Sequence, residues 1–496
     1  MKWLSVFVVL CVFVSPSVAQ NSRVVGSLSA RSLNDLVKVA RELGVELPAG
    51  FTPAGIRAQY RGVGPAVRPN RPVGIYIVAG VGVPFTKTFM WALPVRPGTA
   101  TLTYLNSDGG RYVTGHTDTL IYWGWTLRRT QHYALIGGTL DAILSVRDST
   151  LTSQYRSSSA VARLQIDVKA LRQVAPHLMT RFLKSMNLSA PPKGADPVQA
   201  YFRKLIAEPI RDDIDGVELQ FDRTSRDWRV AMKIKGFEPW TRAYLQRPKI
   251  PGTVVGRMDV VYPDKDKAAW PREFTKQIFN LTPGEHAPAM QPIITDAVES
   301  LLVGEGLTYA VTEIDGKFVV FVVQQYRRSI DLKSRVKSII DSAEQLAGGS
   351  DETRFLADLT YATEDGAEVT RLHVLSGGQP WAYIDMIQHK RMIVTAMSLD
   401  SGRYLPKALP VKVGGRISTG AVGWVDPYSM VQAIQSLPDN PFAGINKYEL
   451  NKTTAKLRNR KINFSAGFER DWLTFEVTIP ENLADTVRAT RDLIEQ

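Results

Sequence analysis

The stretch LTYLNSDGGRYVTGH, residues 102–116, returns as LTYATEDGAEVTRLH, residues 359–373, with Leu, Thr, Tyr, Asp, Gly and His in the same places. A chain that carries such an echo repeats either a piece of fold or a reactive site. The shift that carries position 102 onto 359 also brings Gln131-His132 onto Gln388-His389 and Ile136 onto Ile393, giving 9 identities in 37 ungapped positions. Chance pairing at average composition gives about two. Farther on, VARLQID ending at Asp167 answers AVGWVD ending at Asp426, and SRDWRVAMKI answers ERDWLTFEVTI, all in the same order. Ordered matches over this length imply a tandem duplication. The expected division is a leader over 1–19, a first half over 20–250 and a second over 251–496, joined at the Pro- and Gly-bearing RPKIPGT of residues 247–253.

Runs such as VGIYIVAG, RYVTGHTDTLIYWGWTL and HYALIGG are rich in β-branched and aromatic residues and predict strands joined by turns. Asp108-Gly109 and Asp365-Gly366 read as hairpin turns, because Asp-Gly tolerates positive φ. Asp167 and Asp426 end strands and stand where they can cap helices, with Pro427 suited to a first helical position. Between residues 307 and 346 a strand, an Ile314-Asp315-Gly316-Lys317 turn, a second strand and a helix follow one another, with Leu332, Val336, Ile339 and Ile340 on one helical face. Hairpins dominate and βαβ alternation does not. The fold class expected is α+β: two tandem duplicated halves of mostly antiparallel sheet, with amphipathic helices packed on one face.

The chain opens MKWLSVFVVLCVFVSPSVAQ, the charged, apolar and small-residue order of a cleavable secretory signal, with cleavage expected before Gln20. The apolar run is short of the roughly 20 residues that a bilayer span requires, and no later segment reads as a transmembrane helix. Export implies the periplasm, the cell envelope or the extracellular space. Cys11 is the only cysteine, so the mature chain is expected to be cysteine-free, which excludes disulfides, zinc-thiolate sites and a thiol nucleophile. Its stability must then come from buried apolar surface. The chain is basic, with 61 Lys and Arg against 48 Asp and Glu and a net charge of +13. The one dense cluster is KLRNRK at residues 456–461, and no nucleic-acid motif accompanies it. Scattered basic residues read first as a solvated surface and second as a polyanion-binding face, whose attraction would weaken steeply in salt.

Arg71-Pro72-Val73-Gly74 opening a strand, Trp91-Ala92-Leu93-Pro94-Val95, Asp108-Gly109, YALIGG at 133–138 and DGAEVTRLH at 365–373 give this chain a further likeness. It resembles large exported proteins of unknown function from planctomycete-type bacteria. The resemblance implies an exported bacterial protein and carries no activity.

Histidine supplies the sharpest chemical lead. The duplication pairs His116 with His373 and His132 with His389, so the spacing of the two histidines is the same in each half. Facing alike on neighbouring strands, His116 and His132 could offer two imidazoles to zinc or copper, with Asp118 as a third ligand; the second half has Leu375 in place of Asp118. The competing reading makes these histidines strand residues kept for packing. His177 and His286 have no counterparts. No Gly-x-Ser-x-Gly elbow occurs, and Ser334-Arg335-Val336-Lys337 lacks the companion motifs of a penicillin-binding site. Asp212, Asp213 and Asp215 form a tight acidic group without calcium-loop spacing, and Asp215-Gly216 reads as a turn into a strand. GVGVP at 80–84 has no following helix or Lys-Ser and is not a phosphate loop. Tyr122, Trp123 and Trp125 could stack on sugars or serve the core. Asn187, Asn280, Asn451 and Asn463 head glycosylation sequons.

These readings assign no catalytic residue and no cofactor. They favour an exported non-enzymatic protein with a binding or structural role, whose partner is an anionic envelope polymer or another exported protein. Two alternatives stay open: an extracytoplasmic, metal-assisted hydrolase, and adhesion to acidic wall polymer through the basic surface.

Overall fold

The structure is a computed structural model. It describes residues 20–42, 54–55, 66–81, 83, 87–97, 101–122, 124–146, 160–176, 213–224, 227–236, 245–262, 304–347, 355–364, 367–376, 379–389, 391–399, 404, 416–417, 420–435, 442 and 444–494. The expected leader, Trp123, His177, Asn187, Asn280, His286, Asp212 and the Asp365-Gly366 turn lie outside these residues. The chain divides into two compact units, Met1–Phe237 and Glu238–Gln496, a boundary that precedes the expected 250/251. No helix among the described residues is long and apolar enough to cross a membrane.

The described strands of the first unit are β1 (Gln20–Ala30), β2 (Val73–Val81), β3 (Phe89–Pro94), β4 (Arg111–Val113), β5 (His116–Tyr122), β6 (Trp125–Arg129), β7 (Tyr133–Gly137), β8 (Ala162–Asp167), β9 (Gly216–Arg223) and β10 (Asp227–Lys235). They pair antiparallel in the order β4-β5-β6-β7-β3-β2-β1-β8-β9-β10. The helices are α1 (Leu33–Glu42), α2 (Thr101–Ser107), α3 (Leu140–Ser145) and α4 (Val168–Val174).

Successive residues of a strand face opposite sides, and here both sides are covered. Along β2 and β3, Ile75, Trp91 and Leu93 share one cluster with Leu33 and Leu36 of α1 and Leu105 of α2. The alternate residues Tyr76, Met90 and Ala92 share another with Ala142 and Ile143 of α3. Helices therefore lie on two faces of this sheet rather than on the one face expected. The strands at its centre are apolar on both sides, so neither face could be left to water.

In the second unit the short β11 (Leu245–Gln246) pairs with β19 (Arg416–Ile417). The main strands are β12 (Thr253–Val261), β13 (Gly304–Ile314), β14 (Lys317–Tyr326), β15 (Phe355–Glu364), β16 (Ala367–Ser376), β17 (Gln379–His389), β18 (Met392–Ser398), β20 (Ala421–Val425), β21 (Ile462–Glu469) and β22 (Trp472–Pro480). Their antiparallel order is β15-β16-β17-β18-β14-β13-β12-β20-β21-β22. Numbered from its own first main strand, this is the order of the first sheet. The helices are α5 (Leu332–Ala347), α6 (Pro427–Gln435), α7 (Lys447–Thr454), which runs into a 3-10 turn at Ala455–Leu457, and α8 (Leu483–Ile494). Leu332, Val336 and Ile340 of α5 pack with Tyr326, Met386 and Ile393.

Several turns follow directly from sequence. Asp315 and Gly316 adopt φ of 49° and 75° between the paired Ile314 and Lys317, the two positive angles of a type I′ hairpin. Asp167 caps α4, accepting from the Ala170 amide at 2.7 Å, and Asp426 caps α6, accepting from the Ser429 amide at 3.1 Å.

Asp108-Gly109 is different. It ends helix α2 instead of turning a hairpin: Gly109 takes φ 92° and the Gly110 amide donates to the Leu105 carbonyl at 2.8 Å. That six-to-one bond with a left-handed glycine is a Schellman helix stop. Asp-Gly signals positive φ in either setting, and what chose the helix is the chain before it. Leu102 and Leu105, three apart, both meet the core cluster of α1. In the echo at 359–364, Ala362 and the β-branched Thr363 replace Leu105 and Asn106, and the segment is strand β15.

Candidate functional site

The repeated histidines occupy strand and turn positions. His116 is the first residue of β5, half-buried, opposite Val113 of β4. Its counterpart His373 lies within β16, half-buried, and meets the Tyr383 ring edge-on with centroids 5.1 Å apart. His132 is exposed in the turn between β6 and β7, where its carbonyl accepts from the Val95 amide at 2.9 Å. His389 is the exposed last residue of β17.

The carboxylate of Asp118 is engaged elsewhere. Arg128 Nε donates to its Oδ2 at 2.8 Å and Thr119 Oγ1 donates to its Oδ1 at 2.9 Å. Partial burial alone would raise this carboxyl, but the hydrogen bonds from Arg128 and Thr119 and the adjacent guanidinium charge outweigh it and hold the pKa below its ordinary value. The same Arg128 donates to the carbonyls of Ile143, Leu144 and Val146, closing the end of α3. Asp118 thus fixes an arginine that satisfies carbonyls left open at a helix terminus. No group of three or more His, Cys, Asp or Glu able to hold a metal ion is assembled among the described residues.

The other leads take local structural positions. Ser334 is held by Asp331, its amide and hydroxyl donating at 3.2 and 2.7 Å in the first turn of α5. Asp215 leads into β9, its amide donating to the Lys235 carbonyl at 2.8 Å. Val81 ends β2 within the glycine-bearing run, and Val83 is buried. Tyr122 and Trp125 pair across the β5–β6 turn, with Trp125 36% exposed. Asn451 accepts from Gln432 at 2.7 Å, and Asn463 is exposed on β21.

Two buried carboxylates stand out. Asp259 on β12 is fully buried, and Arg257 grips it with both Nε and Nη2 at 2.8 Å. Arg247 Nε at 3.2 Å and the buried Thr308 hydroxyl at 2.6 Å complete its coordination. A charge removed from water to this degree is tolerated only when paired and hydrogen-bonded, and this one is saturated. In the first unit Glu218 on β9 accepts from Arg163 at 2.5 Å, from Gln165 at 2.7 Å and from Gln220. Burial favours its protonation, but Arg163 and Gln165 outweigh that and lower its pKa. The alternation of strands carried the signal for both. Arg257 and Asp259, two apart on one strand, must share a face, as must Glu218 and Gln220.

The remaining candidate is the basic run singled out by sequence. From 447 to 461 the chain holds six cations, Lys447, Lys452, Lys456, Arg458, Arg460 and Lys461, against the single acid Glu449. Leu450, Thr454 and Leu457 turn inward and are buried, a spacing of four and three that anchors one side of α7 and its 3-10 extension. Lys447, Lys452, Lys456, Arg458 and Lys461 are exposed on what remains. Two cations are set on aromatic rings: Arg458 lies 4.9 Å from the Tyr428 ring centroid and donates to its hydroxyl at 2.9 Å, and Lys461 Nζ lies 3.5 Å from the Trp424 centroid. Asn459 takes φ 60° between them. Sequence reading found the charges but missed Tyr428 and Trp424, which come from α6 and β20.

No family model matches this chain, and no curated protein matches it. Among solved structures it is similar to crystal form I of the Treponema protein TP0453, at 11% identity over 45% of this chain and 79% of the other, with a TM-score of 0.22. Crystal form III of the same protein matches at 10% identity over 49% and 98%, with a TM-score of 0.20.

Proposed function

We propose that this chain is an exported, non-enzymatic binding protein built from a tandemly duplicated α+β scaffold. The observation that supports the reading is the strand order: β4-β5-β6-β7-β3-β2-β1-β8-β9-β10 and β15-β16-β17-β18-β14-β13-β12-β20-β21-β22 coincide when each is numbered from its own first main strand. The residues that the sequence repeats support it through what they do locally: Asp167 and Asp426 cap corresponding helices, and His116 and His373 stand on corresponding strands. Asp118, two residues after His116 in the chain, is engaged by Arg128. Export rests on the leader-like segment 1–19 and on the resemblance to exported bacterial proteins.

Metal analysis of the purified full chain tests the non-enzymatic part. The expected result is no stoichiometric metal in the wild type. A stoichiometric ion lost on His116→Ala and His132→Ala would overturn the reading in favour of metal-assisted chemistry. N-terminal sequencing of the mature protein tests export, with Gln20 as the expected first residue and an intact Met1 as the contrary one.

A further inference from the structure

We infer that the cationic turn at 447–461 is a binding surface for a linear polyanion, a chain bearing closely spaced phosphates or carboxylates. The inference deepens the binding role proposed above by naming the surface and the chemistry of its partner. Three observations converge on it. The charge is one-sided, six cations to one acid between positions 447 and 461. The segment is pinned by Leu450, Thr454 and Leu457, so the cations project from a rigid base and little ordering cost attends binding. Arg458 and Lys461 are further held over Tyr428 and Trp424. A cation on a ring face keeps its charge directed outward while its position is fixed.

The same features select a polymer over a membrane. Peripheral membrane helices combine cations with an apolar face that enters the headgroup region. Here the apolar residues of α7 and the 3-10 turn are the buried ones, and the faces of Trp424 and Tyr428 are occupied by cations. Only Tyr448, 70% exposed, is free to touch a lipid surface from this segment, and its phenol serves a hydrated polyanion equally well. A linear polyanion can lie along a row of fixed charges and release its counterions at each, so its affinity falls steeply with salt.

The test uses the full chain and three probes: long-chain inorganic polyphosphate, poly-glutamate, and vesicles of mixed neutral and anionic phospholipid. Binding to polyphosphate, poly-glutamate or both supports the inference and identifies the preferred group. Raising salt between about 50 and 200 mM should weaken that binding at least tenfold. Lys447→Glu with Lys456→Glu, both exposed positions, should weaken it by about tenfold or more and reduce the salt dependence. The neutral pair Lys447→Gln with Lys456→Gln should give a smaller loss in the same direction. Arg111→Glu with Lys249→Glu, reversing exposed cations elsewhere, should leave binding nearly unchanged, and matched thermal midpoints check that all three variants fold. Binding to vesicles alone, equal losses in the control variant, or no salt-sensitive binding to either polymer would overturn the site. Such a failure leaves the metal test of the preceding reading unaffected, so the two fail separately.

Discussion

Residues 102–107 and 359–364 begin the best-matched stretch of the two halves, yet one is helix α2 and the other is strand β15. The strands farther along have weaker sequence likeness and the same place in the sheet. β8 and β20 each pair with the first main strand of their unit and lead into a helix capped by aspartate. The contrast separates two levels of specification. Strand order is fixed by which apolar faces must meet across many residues, and it tolerates local exchange. A short segment is governed by its own side chains, and replacing Leu105-Asn106 by Ala362-Thr363 exchanges helix contacts for strand propensity.

The largest expected effect concerns the fully buried charge of the second unit. Asp259→Ala leaves Arg257 without its carboxylate partner and should cost about 3–5 kcal/mol, read by urea unfolding. A cost below ~1 kcal/mol would show that the Asp259 cluster is wetter than its full burial implies. Next, Leu105→Ala should destabilise the first unit by about 2–4 kcal/mol because its side chain fills the cluster beneath α2. Ala at the echoing position 362 is native, so the asymmetry between the halves would vanish if Leu105→Ala proved neutral. The shared features should behave alike: Asp167→Ala and Asp426→Ala should each cost about 1 kcal/mol as lost helix caps, and unequal costs would blunt the parallel.

The smallest effect is on pH. Glu218 and Asp118 both have folded pKa values lowered relative to the unfolded chain, so each adds stability above its unfolded pKa that is lost as pH falls through its folded pKa. Unfolding of the first unit should therefore become easier below the ordinary carboxylate range. Glu218→Gln should flatten that acid limb, and an unchanged pH profile would show that Arg163 does not hold Glu218 ionised.

Much of this was legible in the chain. Asp315-Gly316 pointed to a hairpin, and Asp167 and Asp426 to helix caps, because each rests on local backbone chemistry. Asp108-Gly109 was misread because the same dipeptide serves a hairpin and a helix stop, and only the contacts of Leu102 and Leu105 decide between them. Asp118 looked like a ligand for want of its partner; Arg128 lies on the next strand, and its tie to the end of α3 is a tertiary fact. The aromatic seats of Arg458 and Lys461 were hidden for the same reason, since Tyr428 and Trp424 stand far upstream on other elements.

The central claim is one strand order used twice, and the lack of cysteine beyond Cys11 makes it directly measurable. In a Cys11→Ser background, paired cysteines at Ala30 and Ala162 join β1 to β8, and paired cysteines at Val260 and Ala421 join β12 to β20. Directly opposed strand residues are close enough for a disulfide. Both pairs should oxidise within one chain under mild conditions, giving equivalent shifts on non-reducing gels, whereas pairs displaced by two positions should not. Cross-linking in one unit and none at the corresponding pair of the other would contradict a shared plan.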